Sequence, residues 1–154
     1  FEIPRSLNSS DLDQLAETCG DDTALLSKSL QYGLPAISLV SQSSLITAIA
    51  NDLGGELIFA QQVWGIGKSS DVLLAISTSG NSKNVLLAAK VAKVKGMKVV
   101  GLTGRGGGKL APFCDVLIDV DVDDVAKIQE LHLPIYHEIC RRVESHYFAE
   151  NKHL

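Results

Sequence analysis

Asp71-Val72-Leu73-Leu74-Ala75-Ile76-Ser77-Thr78-Ser79-Gly80-Asn81-Ser82 is the stretch that decides the fold. Val72–Ile76 is a continuous aliphatic run of the length expected for a buried parallel strand. Beyond the turn, Val85-Leu86-Leu87-Ala88-Ala89-Lys90-Val91-Ala92 reads as a helix, with Lys95 and Gly96 as its C-terminal cap. A turn between strand and helix leaves backbone N–H groups open at a helix N-terminus, where the partial positive charge favours an anion. Hydroxyls of Ser77, Thr78, Ser79 and Ser82 add donors, and Gly80 lets the backbone come close. The natural ligand for such a cradle is a phosphate.

The stretch is not a nucleotide loop. Lys83 follows the turn, but the glycine spacing that precedes a nucleotide-binding lysine is absent. A dinucleotide Gly-x-Gly-x-x-Gly turn is absent too. Serine and threonine also cap helices and fill turns without binding anything. One hydroxyl residue would be read that way, whereas four at one corner favour an anion site.

Outward from this corner the pattern alternates. Residues 9–19 and 23–32 read as two short helices, and 35–40 as a strand. Ser41 or Ser43 caps a helix to about Leu53, Gly54-Gly55 breaks it, and residues 56–64 resume it. Strand 71–76, helix 82–95, strand 98–103, a short helical piece near Lys109-Leu110-Ala111 and strand 115–120 follow. A long helix spans residues 124–148. Strands separated by helices imply right-handed crossovers. The expected fold is α/β, a doubly wound parallel sheet with helices on both faces. Ligands bind beyond the carboxyl ends of strands in such sheets. Thr103-Gly104-Arg105-Gly106-Gly107-Gly108 also lies at such an end; its glycines suit either a close ligand or a mobile surface loop.

Composition narrows the function. A chain of 154 residues suits one domain, and 45% hydrophobic with 21% charged residues is ordinary for a globular protein. A net charge of −4 argues against nucleic acid, because no basic stripe is available. No apolar run is long enough to span a bilayer, and Phe1 does not begin a signal peptide. Cys19, Cys114 and Cys140 are odd in number and scattered, which points to reduced thiols in a cytoplasm.

On the last helix, positions advance by about 100° per residue. Relative to Gln129, Tyr136 and Cys140 lie within about 20° and His137 at about 80°, so Gln129 and His137 share one side. Ile128, Leu131, Ile135, Ile139 and Val143 form an expected apolar stripe for packing. Pro134 cannot donate to the carbonyl of Glu130 and should kink the helix. A lone helix histidine is usually a surface or satisfied core residue, and this applies to His132, His137, His146 and His153 alike. His137-Glu138 begins like a zinc-protease motif, but position 141 is arginine. Near a phosphate ester, an imidazole can serve as acid or base around neutral pH.

The run from Gly33 to Phe148 resembles the sugar isomerase (SIS) domain family, in its phosphoheptose isomerase branch. The resemblance is carried by Leu34–Leu39, Ala50-Asn51-Asp52, Asp71–Ser82, Lys95–Gly104, and Ile128-Gln129-Glu130-Leu131-His132 with His137. It implies a flavodoxin-like SIS fold with residues 1–32 as a variable helical segment and 33–148 as the core of a single domain. It also implies that Ser77, Thr78, Ser79 and Ser82 hold a sugar phosphate and that Asn51, Asp52 and Gln129 contact the sugar. His137 matches the histidine of the acid/base pair. In some family members the matching glutamine and histidine bind zinc, so the resemblance allows zinc at Gln129 and His137 and requires no other cofactor. The family reaction interconverts a ketose phosphate and an aldose phosphate of the sedoheptulose 7-phosphate type through an enediol. A homo-oligomer, tetramer or dimer, follows from the same resemblance.

The sequence departs from the family in its first part. The family's first strand, a Gly-Asn-Gly-Gly-Ser turn and a catalytic glutamate have no counterpart, so the chain is similar to a member lacking its N-terminal part. Glu17, Glu56 and Glu130 do not sit where the motif places that glutamate, residues 5–32 resemble an insertion, and Ala126 replaces a common acidic residue. Two readings follow: an isomerase, or a non-catalytic SIS module that binds a phosphosugar or a protein, as the DnaA initiator-associating type does.

Overall fold

The computed structural model describes residues 5–148, and His153 lies outside them. The chain divides into two compact units, Ile37–Ile135, and Phe1–Ala36 with Tyr136–Leu154.

The unit of Ile37–Ile135 is built on three parallel strands, β1 (Val72–Ser77), β2 (Lys98–Thr103) and β3 (Val116–Asp119), in that spatial order. Leu73 is level with Val99, Ala75 with Gly101 and Ser77 with Thr103, so these residues share one face. The crossover from β1 to β2 is helix α5 (Lys83–Val94), which buries Leu86, Ala88, Ala89 and Ala92. Three alanines among four buried residues let the helix lie close to the sheet. Ala75, Val99, Met97, Leu110 and Val63 complete this core, with Leu73 and Phe59 packed against it. Val63 comes from α4 (Ala60–Ile66), which follows α3 (Ser43–Asp52). Gly96, at φ +75°, ends the α5 region as expected.

Three expectations change here. Residues 35–40 form no strand. They pair with no other strand among the described residues, Pro35 has no N–H, and the Leu39 carbonyl is instead taken by Gln62 Nε2 at 3.0 Å. The helix expected over 56–64 is split into a short 3₁₀ turn at Gly55–Leu57 and α4, because Gly54 turns the chain at φ +102°. β1 is buried on one face only: Val72, Leu74 and Ile76 stay 60%, 41% and 49% exposed.

Asp115 ties the amino ends of β2 and β3 together. Its Oδ2 accepts the Val99 N–H at 2.8 Å and Lys93 Nζ at 2.9 Å, and Oδ1 accepts Lys98 Nζ at 3.2 Å. The Val99 N–H first, then Lys93 and Lys98, hold its carboxyl well below the usual carboxylate range. A carboxyl depressed on folding adds stability above its unfolded value, about 3.9, and loses it as pH falls toward the folded value. Asp115→Asn is therefore expected to flatten the loss of thermal stability below about pH 4, followed by melting at successive pH values. An unchanged acid slope would assign that slope to other carboxylates.

In the second unit, α1 (Ser9–Cys19) is capped by Asn8, whose Oδ1 accepts the Asp11 N–H at 2.8 Å. Gly20–Asp22 turns into α2 (Thr23–Ser29), and Thr23 Oγ1 donates to the Leu15 carbonyl. The Tyr32 hydroxyl donates to Asp11, and its ring stacks on Phe148 at 6.3 Å. The last helix, α6 (Val125–Phe148), gives its residues up to Ile135 to the first unit and the rest to this one. Of the apolar stripe expected there, Ile128 is buried and Ile135 and Ile139 are half-buried, whereas Leu131 and Val143 are exposed, and His132, outside the stripe, is buried as well. No helix among the described residues is long and apolar enough to cross a membrane.

Candidate functional site

The turn after β1 gathers the four hydroxyl residues at the carboxyl end of the sheet. Ser77 is buried and its Oγ donates to Ser82 Oγ at 3.0 Å. Ser82 is the N-cap position of α5, with extended backbone (φ −60°, ψ 117°) and no side-chain cap bond. Its hydroxyl is thus turned to Ser77 rather than to the helix, which separates this corner from a plain capped turn. Gly80 N–H donates to the Ser77 carbonyl at 3.0 Å and folds the turn. The N–H groups of Ser79, Ser82, Lys83 and Asn84 make no hydrogen bond among the described residues. Open amides at the start of a twelve-residue helix, beside exposed Ser79 and Ser82, can receive an anion.

The glycine-rich segment after β2 supports this turn. Gly80, at φ +63°, approaches so closely that a Cβ on it would stand 2.0 Å from the Gly107 carbonyl oxygen. Leu110 N–H donates to the Gly80 carbonyl at 3.0 Å. Gly106, Gly107 and Gly108 all have positive φ, so the segment curls into this contact. Asn81 joins the two pieces: its Nδ2 donates to the Ser79 carbonyl at 2.8 Å and its Oδ1 accepts the Lys109 N–H at 3.1 Å. Sequence reasoning passed over Asn81, and its signal was its place inside the serine turn.

The remaining candidates are placed as follows. Asn51 Nδ2 donates to Asp52 Oδ1 at 2.8 Å, so the pair is joined to itself at the C-terminal end of α3, exposed. Gln129 is exposed on α6, directly after buried Ile128. His137 belongs to the other unit, exposed, with its ring tilted against that of Tyr136 at 5.0 Å. As metal donors Gln129 and His137 would offer one amide oxygen and one imidazole nitrogen, where zinc takes about four ligands. Among the described residues no group of three or more His, Cys, Asp or Glu is gathered to hold a metal ion. Among the described residues these donors do not by themselves make up a zinc site.

Residues 22–104 match the SIS domain model, a span that contains both β1 and the serine turn. The chain belongs to the SIS domain family. Its SIS sequence is 50% identical over 119 residues to a phosphoheptose isomerase of Helicobacter pylori strain P12, covering 77% of this chain and 62% of that protein. It is 48% identical over 118 residues to a phosphoheptose isomerase of Nitratidesulfovibrio vulgaris Miyazaki F, covering 77% and 56%. The chain thus spans 56% to 62% of the length of these relatives. Solved structures are similar as well. A phosphoheptose isomerase from Neisseria gonorrhoeae has a TM-score of 0.70 and 39% identity, covering 87% of this chain and 70% of that one. One from Francisella tularensis has a TM-score of 0.71 and 35% identity, covering 92% and 73%. The SIS chain therefore shares the doubly wound α/β fold of those proteins and stands in their phosphoheptose isomerase branch.

Proposed function

We propose that the protein is an aldose–ketose isomerase acting on a sugar phosphate of the sedoheptulose 7-phosphate type. The observation that carries this reading is the serine turn, with its open amides, in a chain about half identical to phosphoheptose isomerases. Ser77, Thr78, Ser79 and Ser82 would hold the phosphate, with Asn51, Asp52 and Gln129 on the sugar. Hydroxyl and amide donors for the phosphate, with the Asp52 carboxylate as an acceptor, suit a ligand whose charge is confined to one phosphate and whose remainder is hydroxyls.

The reaction moves a proton from C1 to C2. A base removes it from C1, the C–H pair forms the C1–C2 double bond, and the ketone oxygen takes a proton to give the enediol. Return of a proton to C2 and loss of the O1 proton give the aldose. His137 is assigned as one acid/base group of this exchange. Three free cysteines fit a reducing compartment, and we place the protein in the cytoplasm as a homo-oligomer, the state implied by its family.

The test is proton exchange on sedoheptulose 7-phosphate in deuterated water, followed by NMR. Enzyme-dependent deuterium at the carbons beside and at the carbonyl is expected. Binding of the sugar phosphate without exchange would instead support a phosphosugar-binding SIS module.

A further inference from the structure

His132 on α6 is only 4% exposed, and the phosphosugar reading leaves it without a task. Its Nε2 lies 3.1 Å from the carbonyl oxygen of Thr103, the last residue of β2. A carbonyl only accepts, so Nε2 carries the proton and donates. The same oxygen accepts the Val120 N–H at 3.0 Å, which occupies its second lone pair. The other end of that peptide group, the Gly104 N–H, donates to the Thr78 carbonyl at 2.8 Å. The Thr78 carbonyl shares its own peptide plane with the N–H of Ser79, one of the open amides of the serine turn.

Four groups therefore stand head to tail: the imidazole N–H, the Thr103–Gly104 peptide, the Thr78–Ser79 peptide and the place where the anion would sit. Peptide planarity makes the linkage mechanical, because turning either end of a plane turns the other. Burial makes it electrical, because each hydrogen bond in a chain polarises the next. The contact is also tight. A Cβ on Gly104 would lie 2.5 Å from Ile128 Cδ1 and 2.7 Å from the Thr78 oxygen, so helix, strand end and serine turn meet at one point.

We propose that His132 is a positioning residue for the anion site: its N–H sets the Thr103–Gly104 peptide, and through it the direction of the Ser79 N–H. The inference rests on the reading of Ser77–Ser82 as a phosphate-binding turn. It differs from ordinary helix packing, which Ile128 supplies at the same place.

The test titrates inorganic phosphate into the ¹⁵N-labelled chain and reads the Ser79 amide. His132→Leu removes the donor, His132→Gln brings an amide N–H to the same reach, and His132→Asn carries that amide one carbon short. Phosphate affinity is expected to fall about tenfold in the leucine and asparagine variants, the effect of one buried hydrogen bond, and to recover in the glutamine variant. Val63→Ala, which lowers stability at a buried position of α4 that takes no part in the linkage, is expected to bind as the parent does. Equal weakening by Val63→Ala, or no recovery with glutamine, would make His132 a plain core residue. Should the leucine variant fail to fold, the imidazole of the parent decides: an Nε2–H tautomer whose signal moves with phosphate is required, and an Nδ1–H tautomer overturns the proposal. A parent whose Ser79 amide ignores phosphate and sedoheptulose 7-phosphate takes the phosphate reading down with it. A full response that no His132 variant alters removes this inference alone.

Discussion

His137→Ala is expected to lower turnover of the proposed isomerase by about 10²–10⁴-fold, the usual contribution of a positioned general acid or base. Moving a proton between two carbons needs a group that both takes and gives protons near neutral pH, and imidazole does both. The fold should survive the change, because His137 is exposed on α6 and its truncation opens no cavity. The loss should appear in kcat, with KM changed far less, since a group acting on the transferred proton is felt mainly in the transition state. Steady-state kinetics and melting of the variant together make the check. Turnover within a fewfold of the parent would reduce His137 to a surface residue beside Tyr136. A loss of turnover that only follows a loss of folded protein would do the same.

The strand–turn–helix at Val72–Val94 was legible because everything that determines it is local. The aliphatic run, the hydroxyl cluster and the capping glycine lie within some twenty-five consecutive positions, and the structure places β1, the turn and α5 there. Residues 35–40 show the opposite case. A strand is completed by a neighbour's ladder, and propensity in Ile37-Ser38-Leu39-Val40 says nothing about whether that neighbour exists. The helix wheel found Ile128 on α6 but missed His132 for a related reason. It ranks side chains by polarity, whereas His132 is buried because a carbonyl at the end of β2 waits for its N–H. The glycines at 104–108 carried two readings in the sequence. Only the approach of Gly80 to Gly107 shows that they pack against the serine turn, a contact between segments that no local pattern announces.

That contact makes Gly80→Ala the most disruptive small change in the candidate site. Two costs combine. The residue sits at φ +63°, a region that costs an L side chain roughly 1–2 kcal/mol. The new methyl would also stand 2.0 Å from the Gly107 carbonyl oxygen and 2.4 Å from its carbon, both backbone atoms that no rotamer change can move aside. Such overpacking typically adds about 1–3 kcal/mol. A total destabilisation of about 2–5 kcal/mol is expected, which for a chain of this size lowers the melting midpoint by very roughly 5–15 °C. Relief by shifting the glycine segment would break the Leu110 N–H bond to Gly80 and the Lys109 N–H bond to Asn81, and with them the shape of the turn. Phosphate binding at Ser79 should therefore fall further than stability alone explains, measured at a temperature where the variant is still folded. Gly106→Ala is the matched control. It has the same sign of φ, at +71°, but its Cβ meets no atom within 4 Å, so it should show the conformational cost without the collision. Equal losses in the two variants would mean that backbone strain, and not the approach of the two segments, makes glycine necessary at position 80.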